Sequence, residues 1–497
     1  MFDTVLVANR GEIALRIIRA CRELGLASVA VYSDADRLSP HVLEADKVVR
    51  IGPAPSSESY LRGEHLIEVA QGSGAGAIHP GYGFLAERAS FAADVEKAGL
   101  VFIGPRPESI QAMGDKTEAR RRMAKAGVPI IPGSLNPTSN SADAADTAHE
   151  LGFPVLLKAV AGGGGKGMRV VSDDADLPGA LEAASREAES AFGDGSIYVE
   201  KYLARPRHIE IQVLGDQSGA VVHLGERECS IQRRHQKLIE ESPAPLLEPL
   251  DREAMGLAAV QAAQAIAYQG AGTVEFLHKD GEFYFLEMNT RLQVEHPVTE
   301  WVTGLDLVEW QIRIARGECL DFRQQDVSFS GHAIECRITS EDPDHGFLPA
   351  TGRIDHFEVP SGPGVRWDGG IRAGSDIGLH YDPLLGKLIV HAGSRPAAIA
   401  RMKRALGELV IQGVETSVPF HLRVMDEYDF GEGDLSIAYI EEHPELLRPS
   451  DGEVRLVALA AALLEHSGWG RKGAAWINGP HGRRLSTWQA SGWPWQT

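Results

Sequence analysis

Several features that would point to common classes of protein are missing from this sequence of 497 residues. It has only four cysteines, Cys21, Cys229, Cys319 and Cys336, which lie far apart and form no Cys-x-x-Cys pair. Neither a zinc site nor a disulfide framework is therefore expected, and a reducing cytoplasm fits this composition. No apolar run approaches the roughly 20 residues that cross a bilayer. The start of the chain lacks the features of a signal peptide.

Basic residues are outnumbered, and the formal net charge is −20 at pH 7. Such a charge argues against broad binding to nucleic acid or to anionic membranes. An anionic substrate must instead be captured by a local group of basic side chains. A hydrophobic content of 43% and a charged content of 24% indicate a globular protein, and the length corresponds to about three domains.

A β-hairpin is predicted between residues 273 and 289, where two apolar runs flank the strong turn signal Lys279-Asp280-Gly281. The second run leads into two acids, an amide and a guanidinium: Glu287, Asn289, Arg291 and Glu295. This combination suits a site that holds a divalent metal between carboxylates and binds an anion beside an arginine. The alternative is a pair of unrelated surface glutamates on an exposed hairpin.

The length of the turn decides whether Glu275 and Glu287 share a face. A two-residue turn, Asp280-Gly281, puts them on opposite faces. A three-residue loop, Lys279–Gly281, puts Glu275 opposite Phe285. Both glutamates are then diagonal neighbours on one face, about 7–8 Å apart at the backbone. We predict the three-residue loop, because the two carboxylates can then bracket one or two Mg²⁺ ions.

Residues 1 to about 113 alternate strand and helix patterns, which predicts a parallel sheet. Thr4–Ala8 and Ser28–Tyr32 are typical of strands, and Gly11–Leu24 has apolar residues at helical spacing. The turn after the first strand lacks G-x-G-x-x-G, so dinucleotide binding is not predicted there. The glycine-punctuated loop His79–Glu87 is either part of a site or plain turn chemistry.

A glycine run, Ala161–Met168, lies between two predicted strands, Phe153–Lys158 and Arg169–Val171. Its position between strands excludes a Rossmann turn, and the absence of Ser or Thr after its lysine excludes a Walker A loop. It is either a hairpin tip whose backbone N–H groups fold over phosphates and exclude water, or a mere flexible loop. The strand Ile197–Leu203 leads into a connection where an adenine would find backbone polar groups.

A basic run between Glu226 and Lys237 interrupts the acidic character of the chain. Arginine offers a planar fork for a carboxylate-like ion and lysine a point charge for phosphate, so the run is a candidate anion pocket. The alternative is a solvated charge run, since glutamates are interleaved with it. The predicted strand Gly331–Ile338 carries Arg337, a candidate for stabilising developing negative charge. The helix around Met402-Lys403 has the wrong surroundings for biotin attachment.

The last fifty residues differ in character from the rest. Val454–Leu464 is typical of an apolar helix, and five of the eight tryptophans follow it. No acidic residue follows Glu465, whereas four basic ones do. A segment that cannot bury its own aromatic side chains indicates a partner-docking piece or the beginning of another domain.

Residues 1 to about 446 resemble the biotin carboxylase component of biotin-dependent acyl-CoA carboxylases, which are ATP-grasp enzymes. The stretches that carry the resemblance are Val7–Ala14, His79–Leu85, Gly114–Lys116, Lys158 with Gly162–Met168, Arg233–Lys237, Glu287–Pro297 and Tyr381–Pro383. The implied fold is α/β (α+β), with an N-terminal parallel domain (1–113), a central ATP-grasp domain (114–330, glycine-rich lid about 131–203), a C-terminal α+β domain (331–446) and a tail (447–497) that is a possible start of a linker or partner-binding domain.

The resemblance implies ATP-dependent carboxylation of biotin by bicarbonate through carboxyphosphate, with Mg²⁺ or Mn²⁺. The residues implied to bind ATP and its metal are Lys116, Lys158, Gly164, Gly165, Met168, Glu200, Lys201, Leu203, His208, Gln232, His235, Leu277, Glu275 and Glu287. Those implied to hold the metal ion are Glu275, Glu287 and Asn289. Those implied to bind the other substrates are Lys237, Arg291, Gln293, Val294, Arg337 and Tyr82. The implied catalytic residues are Glu295 as general base, Arg291, Lys237 and Arg337.

Ala-Met-Lys-Met and a carboxyltransferase region are both missing, so biotin is expected as a carrier-bound substrate rather than attached to this chain. Expected partners are a second copy of the chain, a biotin carboxyl carrier and a carboxyltransferase, all in the cytoplasm. Either the chain is cut from a longer one, or the carrier is separate. The alternatives are another ATP-grasp acyl-phosphate ligase and a catalytically silent scaffold. Ala86, Arg88 and Ser417 depart from residues frequent in the family, and none has an implied catalytic role.

Overall fold

The computed structural model describes residues 1–134, 141–159, 168–193, 195–449, 458–463, 477–478 and 484–485. The chain divides into two units, Met1–Pro444 and Glu445–Thr497. Gly164, Gly165 and the five tryptophans of the tail lie outside the described residues. Among the helices inside the described ranges, none combines the length and the apolar composition needed to span a lipid bilayer.

The alternating pattern at the start of the chain forms a five-stranded parallel sheet in the order β3-β2-β1-β4-β5. Its strands are β1 (Thr4–Val7), β2 (Ala27–Ser33), β3 (Lys47–Gly52), β4 (Ala77–His79) and β5 (Val101–Phe102). Its helices are α1 (Gly11–Glu23), α2 (Pro40–Glu44), α3 (Gly63–Ser73), α4 (Ala89–Lys97) and α5 (Pro107–Gly114). Ile13 and Ile17 of α1 are buried, as their four-residue spacing predicts. The predicted first helix and parallel sheet are confirmed.

The next segment forms a small antiparallel sheet in the order β7-β6-β8. Its helices are α6 (Lys116–Lys125), α7 (Ser141–Leu151) and α8 (Leu177–Phe192). Its strands are β6 (Val155–Ala159), β7 (Met168–Val171) and β8 (Ile197–Lys201). The glycine run therefore joins two antiparallel strands, as predicted.

An eight-stranded sheet joins the central and C-terminal parts of the chain in the order β13-β12-β9-β10-β11-β14-β21-β19. Its strands are β9 (Arg207–Gly215), β10 (Val221–Arg233), β11 (Gln236–Ser242), β12 (Gly270–Lys279), β13 (Glu282–Asn289), β14 (His332–Thr339), β19 (Val365–Gly369) and β21 (Leu384–Ala392). The helices between these strands are α9 (Pro249–Gln264), α10 (His296–Thr303) and α11 (Leu307–Ala315). Because β11 pairs with β14, both parts of the chain are held in one hydrogen-bonded register.

Shorter elements complete the chain. The remaining strands are β15 (Glu341–Asp342), β16 (Leu348–Pro349), β17 (Gly352–Arg353), β18 (His356–Glu358), β20 (Asp376–Ile377), β22 (Val410–Gln412), β23 (Ile477–Asn478) and β24 (Arg484–Leu485). Further helices are α12 (Arg395–Glu408), α13 (Val418–Asp426), α14 (Tyr428–Glu432) and α15 (Tyr439–Glu442), and residues 458–463 are also helical.

One apolar cluster connects the N-terminal sheet to the large sheet. It contains Ile17 of α1, Leu307 and Ile312 of α11, and Leu214 and Ala271 of the large sheet, all of them buried. Side chains packed in this way resist relative movement of the two sheets, because an interior at crystal-like density has little free volume. The polar side chains of the N-terminal part are therefore held at fixed positions beside the large sheet.

The register predicted for the hairpin is wrong. The structure has the two-residue turn Asp280-Gly281, with φ values of 52° and 79°, rather than a three-residue loop. Phe276 pairs with Phe285, yet the next pair is Glu275 with Glu287, so Leu286 is an extra residue that forms a β-bulge. The bulge shifts the ladder by one residue and places the two glutamates directly opposite each other. The shared face is correct, but it arises from a bulge and not from the loop.

Buried ion pairs connect α1, α10 and β19. Arg16 lies 2.9 Å from Glu300 Oε1, and Arg366 lies 2.7 Å from Glu300 Oε2. Arg366 also donates two hydrogen bonds to Asp368, at 2.9 and 2.6 Å. Two guanidinium groups thus share two carboxylates in the interior, which compensates for their removal from water.

We expect Asp368→Asn to change how stability depends on pH. Burial alone would raise the pKa of Asp368, but Arg366 outweighs it and lowers the pKa from 3.8 to about 2. Because the folded-state pKa lies below the unfolded one, this carboxylate stabilises the fold above about pH 4, and its contribution disappears as the pH falls towards 2. The free-energy difference between wild type and variant should shrink by about 2 kcal/mol over that range, measured by chemical denaturation.

A suitable control is Ile389→Val, which removes a buried methyl group opposite Arg366 and alters no titratable group. Its cost, about 1 kcal/mol, should be independent of pH. A difference between wild type and Asp368→Asn that is the same at pH 2 and pH 7 would contradict the assignment.

Candidate active site

Most of the predicted site residues that the structure describes line one cavity of about 640 Å³. Those predicted for ATP are Lys116, Lys158, Met168, Glu200, Lys201, Leu203, His208, Gln232, His235, Glu275, Leu277 and Glu287. Those predicted for the metal, bicarbonate and catalysis are Lys237, Asn289, Arg291, Gln293, Val294, Glu295 and Arg337. Tyr82 lines a neighbouring cavity of about 460 Å³, which shares Lys237, Val294 and Arg337 with the first. The fold thus brings together residues that are widely separated along the chain.

Lys237 lies at the centre of the site, near the start of β11. Its Nζ donates hydrogen bonds to Glu210 at 2.5 Å, to Glu275 at 2.8 Å and to Glu295 at 2.7 Å. Burial alone would lower the pKa of Lys237, but the three carboxylates, led by Glu210, raise it well above its ordinary value. The ammonium group is therefore charged, and it holds together side chains from three separate elements.

The basic run is not a solvated charge run. The turn Arg234-His235 is exposed, but Glu226, Arg227 and Glu228 on β10 are buried. Arg227 is 0% exposed and donates to Glu210 at 2.5 Å. It also donates to Gln212, Thr273, Gln293 and Thr299. Arg227 therefore holds the buried polar side chains next to the cavity in place, while Lys237 lines the cavity itself.

Glu275 and Glu287 face the cavity from adjacent strands. Glu275 Oε1 accepts hydrogen bonds from Asn289 Nδ2 and Gln293 Nε2, both at 2.8 Å, and Oε2 lies 3.0 Å from His208 Nε2. Burial alone would raise the pKa of Glu275, but Lys237 and then His208 lower it well below its ordinary value.

Glu287 has a different environment. Desolvation, followed by the charge of Glu275, raises its pKa, and the positive charges of Lys116 and Lys237 oppose this only in part. A divalent cation between the two carboxylates would relieve their repulsion, and carboxylate oxygens are ligands that Mg²⁺ prefers. The donor set therefore fits Mg²⁺.

Arg291 is held by residues from two parts of the chain. Its Nε donates to Glu87 Oε2 at 2.9 Å, and its NH2 group donates to Asn289 Oδ1 at 2.9 Å. Glu87 Oε1 also accepts from the backbone N–H of Thr290 at 3.1 Å. The glycine-punctuated loop predicted at 79–87 thus contributes to the site through its last residue.

Glu295 lies at the N-terminus of α10 and is held by two cations. Its Oε1 accepts from Lys237, and its Oε2 accepts from Arg337 NH2 at 2.7 Å. Burial alone would raise the pKa of Glu295, but Lys237, Arg337 and Arg227 lower it well below its ordinary value. Arg337 is also fixed from its other side by Glu240, whose Oε1 accepts from Arg337 Nε at 2.6 Å. The carboxylate and the guanidinium thus orient each other.

The two lysines predicted for phosphate lie close enough to influence each other. Burial, followed by the charge of Lys158, lowers the pKa of Lys116. Lys158 Nζ lies 3.9 Å from Glu200, which also pairs with Arg120. Lys201 has a different role, because its Nζ donates to the backbone carbonyls of Leu151 and Gly152 at 3.2 and 2.9 Å. Lys116 and Lys158 are therefore the groups suited to attract phosphates.

Sequence reasoning missed the residues that support these side chains. Glu210 and Arg227 are charged residues of types that are mostly exposed in proteins, whereas the structure buries their side chains completely. Glu87 and Glu240 gave no signal of their own, because their partners are distant in the sequence. The sequence signal that could have identified Glu210 and Arg227 is the unusually high number of acidic and basic residues in β9, β10 and β11.

Comparison with known families accounts for nearly the whole first unit. Residues 1–110 match the family described as biotin carboxylase, N-terminal domain. Residues 115–323 match the carbamoyl-phosphate synthase L chain, ATP binding domain, and residues 335–442 match the biotin carboxylase C-terminal domain. The three matches follow one another along the chain in this order.

Similar proteins agree with these families. The biotin carboxylase of Haemophilus influenzae is 50% identical over 89% of this chain and 99% of its own. The biotin carboxylase of a Nostoc species is 53% identical, again over 89% of this chain and 99% of its own. The biotin carboxylase domain of Hydrogenobacter thermophilus 2-oxoglutarate carboxylase, a dimer with MgADP, ADP and bicarbonate, has a TM-score of 0.85 and 48% identity over 91% of this chain and 100% of that one. This chain belongs to the biotin carboxylase family.

Proposed function

We propose that the residues around Lys237 carry out the reaction of the family, the ATP-dependent carboxylation of biotin by bicarbonate. The observation that carries the proposal is the arrangement of Glu295, fixed by Lys237 and Arg337 in a cavity that Arg291 also lines. The Hydrogenobacter structure contains MgADP and bicarbonate, and a Campylobacter jejuni biotin carboxylase, 48% identical with a TM-score of 0.85, is in complex with β-γ-ATP. Both support a nucleotide site in this chain, and the Hydrogenobacter structure also supports a bicarbonate site.

Lys116 and Lys158 bind the phosphates of ATP, and Glu275, Glu287 and Asn289 hold Mg²⁺. When bound, Mg²⁺ neutralises phosphate charge as the γ-phosphoryl group is transferred. The family resemblance implies a glycine-rich lid that closes over the nucleotide, with Gly164 and Gly165, which lie outside the described residues, among its ATP-binding glycines. Closure excludes water from a phosphorylated intermediate that water would destroy.

Bicarbonate binds between Lys237 and Arg291, beside Gln293 and the backbone of Val294. The anion takes part of the positive charge that otherwise stabilises the Glu295 carboxylate, and Glu295 thereby becomes a stronger base. Glu295 removes the proton of bicarbonate, and a bicarbonate oxygen attacks the γ-phosphorus of ATP. The P–O bond to ADP breaks, so the products of this step are carboxyphosphate, ADP and protonated Glu295.

Carboxyphosphate then breaks at its C–O bond to give CO₂ and phosphate. Phosphate takes the N1′ proton of biotin, and Arg337 stabilises the enolate that this leaves. The enolate nitrogen attacks CO₂ and forms N1′-carboxybiotin. Tyr82, in the cavity that shares Arg337, contacts the biotin substrate.

The partners follow from the same chemistry. Biotin arrives on a carrier domain or protein, and a carboxyltransferase subunit uses the carboxybiotin to complete an acyl-CoA carboxylase. The Hydrogenobacter domain is a dimer, which supports a homodimer here. We place the enzyme in the cytoplasm and its domain boundaries near residues 113, 330 and 446, with the tail contacting a partner.

We expect ADP release that needs bicarbonate and Mg²⁺ and that increases with free biotin. Glu295→Gln keeps the size of the side chain but removes the base, and should lower the rate about 100-fold or more. Glu253→Gln, the same change on the exposed side of α9, should leave the rate unchanged. Release that ignores biotin would favour another ATP-grasp ligase, and no release by the wild type would favour a silent scaffold.

Glu87→Gln should weaken the use of bicarbonate rather than of ATP. The substitution removes the charge that holds Arg291 Nε, and Glu87 is half-exposed, so the loss is about 1 kcal/mol. The KM for bicarbonate should rise about fivefold, with the KM for ATP unchanged, in steady-state ADP release. Glu253→Gln again serves as the matched control. An increase in the KM for ATP alone would show that Glu87 supports a different part of the site.

A further inference from the structure

A buried lysine that has no role in the proposed mechanism contacts the backbone of Val294, one of the residues proposed to bind bicarbonate. Lys387, on β21, is 0% exposed. Its Nζ donates a hydrogen bond to the backbone carbonyl of Val294 at 2.7 Å and lies 3.1 Å from Glu12 Oε1. Taking an ammonium group out of water is costly unless it is paired and hydrogen-bonded, so these two contacts account for its stability there.

The carbonyl that Lys387 holds belongs to the peptide bond between Val294 and Glu295. A peptide bond is planar, so fixing its oxygen also fixes the direction of the Glu295 N–H and the position of the Glu295 Cα atom, from which the side chain starts. The flanking side chains are anchored separately: Gln293 by Arg227 and Glu275, and Glu295 by Lys237. Lys387 therefore anchors the main chain at Val294, the residue between Gln293 and Glu295, whose side chains are held by other groups.

Lys387 is itself positioned by the N-terminal part of the chain. Glu12, in the first turn of α1, accepts a hydrogen bond from Tyr82 Oη at 2.5 Å through the same oxygen that faces Lys387. The backbone at Gly370 approaches this turn closely, and a Cβ there would lie 2.8 Å from the Glu12 nitrogen. Gly370 directly follows β19 and donates its N–H to the Leu385 carbonyl of β21 at 3.1 Å, so the start of α1 packs against backbone that is bonded to the strand of Lys387.

Two other acids lie near Lys387, but within the described ranges neither forms a hydrogen bond or ion pair with it. Asp368, its neighbour on β19, is held by two hydrogen bonds from Arg366. Glu335, on β14, is fully buried, and neither of its carboxylate oxygens has a hydrogen-bond partner within the described ranges. Burial raises the pKa of Glu335 well above its ordinary value, so its neutral form is favoured. The positive charge of Lys387 acts on both acids from a distance, whereas its direct contacts are with Glu12 and the Val294 carbonyl.

We propose that Lys387 is a positioning residue for the carboxylation of biotin, holding the Val294–Glu295 peptide so that bicarbonate and the Glu295 carboxylate meet in a reactive arrangement. The proposal rests on the proposed function. It assigns Lys387 no contact with substrate. The simpler role for Lys387 would be to neutralise Glu12 alone.

Lys387→Met and the double variant Glu12→Gln/Lys387→Met separate these roles. Methionine replaces the apolar stem of lysine and lacks the terminal ammonium group, so it cannot bond to the Val294 carbonyl, and it leaves Glu12 buried without that cation. The double variant removes that uncompensated charge, while the amide oxygen of glutamine still accepts from Tyr82. Thermal unfolding of each purified protein measures the fold, and steady-state ADP release with biotin, at varied bicarbonate and ATP, measures the chemistry.

We expect Lys387→Met to lower Tm and the double variant to recover most of that loss. In both variants kcat/KM for bicarbonate should fall about tenfold or more, while the KM for ATP stays within about twofold of wild type. A lysine that only stabilises the fold would not lower kcat/KM for bicarbonate while leaving the KM for ATP unchanged.

Recovery of both Tm and kcat/KM for bicarbonate in the double variant would overturn the proposal, because Lys387 would then serve only Glu12. Wild-type kinetics in Lys387→Met would overturn it too. The wild type is measured beside the variants. Failure of the wild type to release ADP with bicarbonate would reject the proposed function, and the positioning role with it.

Discussion

The ammonium group of Lys237 is the point on which the site depends. It is surrounded by carboxylates from β9, β12 and the residue before α10, and each of them has a further partner in Arg227, His208 or Arg337. A buried charge without its partners costs several kcal/mol, so removing Lys237 would take a shared cationic partner from three buried carboxylates at once. The same constraint keeps the side chains in place before substrate binds, which is the condition for electrostatic catalysis without reorganisation.

The site also depends on the eight-stranded sheet, which contains strands from both the central and the C-terminal parts of the chain. Lys237 and Glu240 lie on β11, and Arg337 lies on the adjacent β14. Pairing between these strands sets the distance between Lys237 and Arg337, the residues proposed to act on bicarbonate and on biotin. The ion pairs that connect α1, α10 and β19, and the contact of Lys387 with Val294, support the same region from behind.

Much of the architecture and most of the site could be predicted from the sequence. The spacing in α1 and the strand patterns of residues 1–113 were sufficient for the parallel sheet, and the residues from Glu287 to Glu295 indicated a metal and anion site. The hairpin register could not be derived, because turn rules alone do not reveal the bulge at Leu286. Glu87, Glu210 and Lys387 were missed for another reason: their roles come from contacts between segments up to 204 residues apart in sequence, which periodicity does not report.

The central claim is that bicarbonate itself, and not water, attacks ATP in this cavity. Bicarbonate labelled with oxygen-18, mixed with enzyme, MgATP and biotin in unlabelled water, tests it directly. Because the C–O bond of carboxyphosphate breaks, one labelled oxygen should appear in each phosphate released, and mass spectrometry of the phosphate should show it. Unlabelled phosphate, at times short enough that bicarbonate has not exchanged with water, would contradict the account.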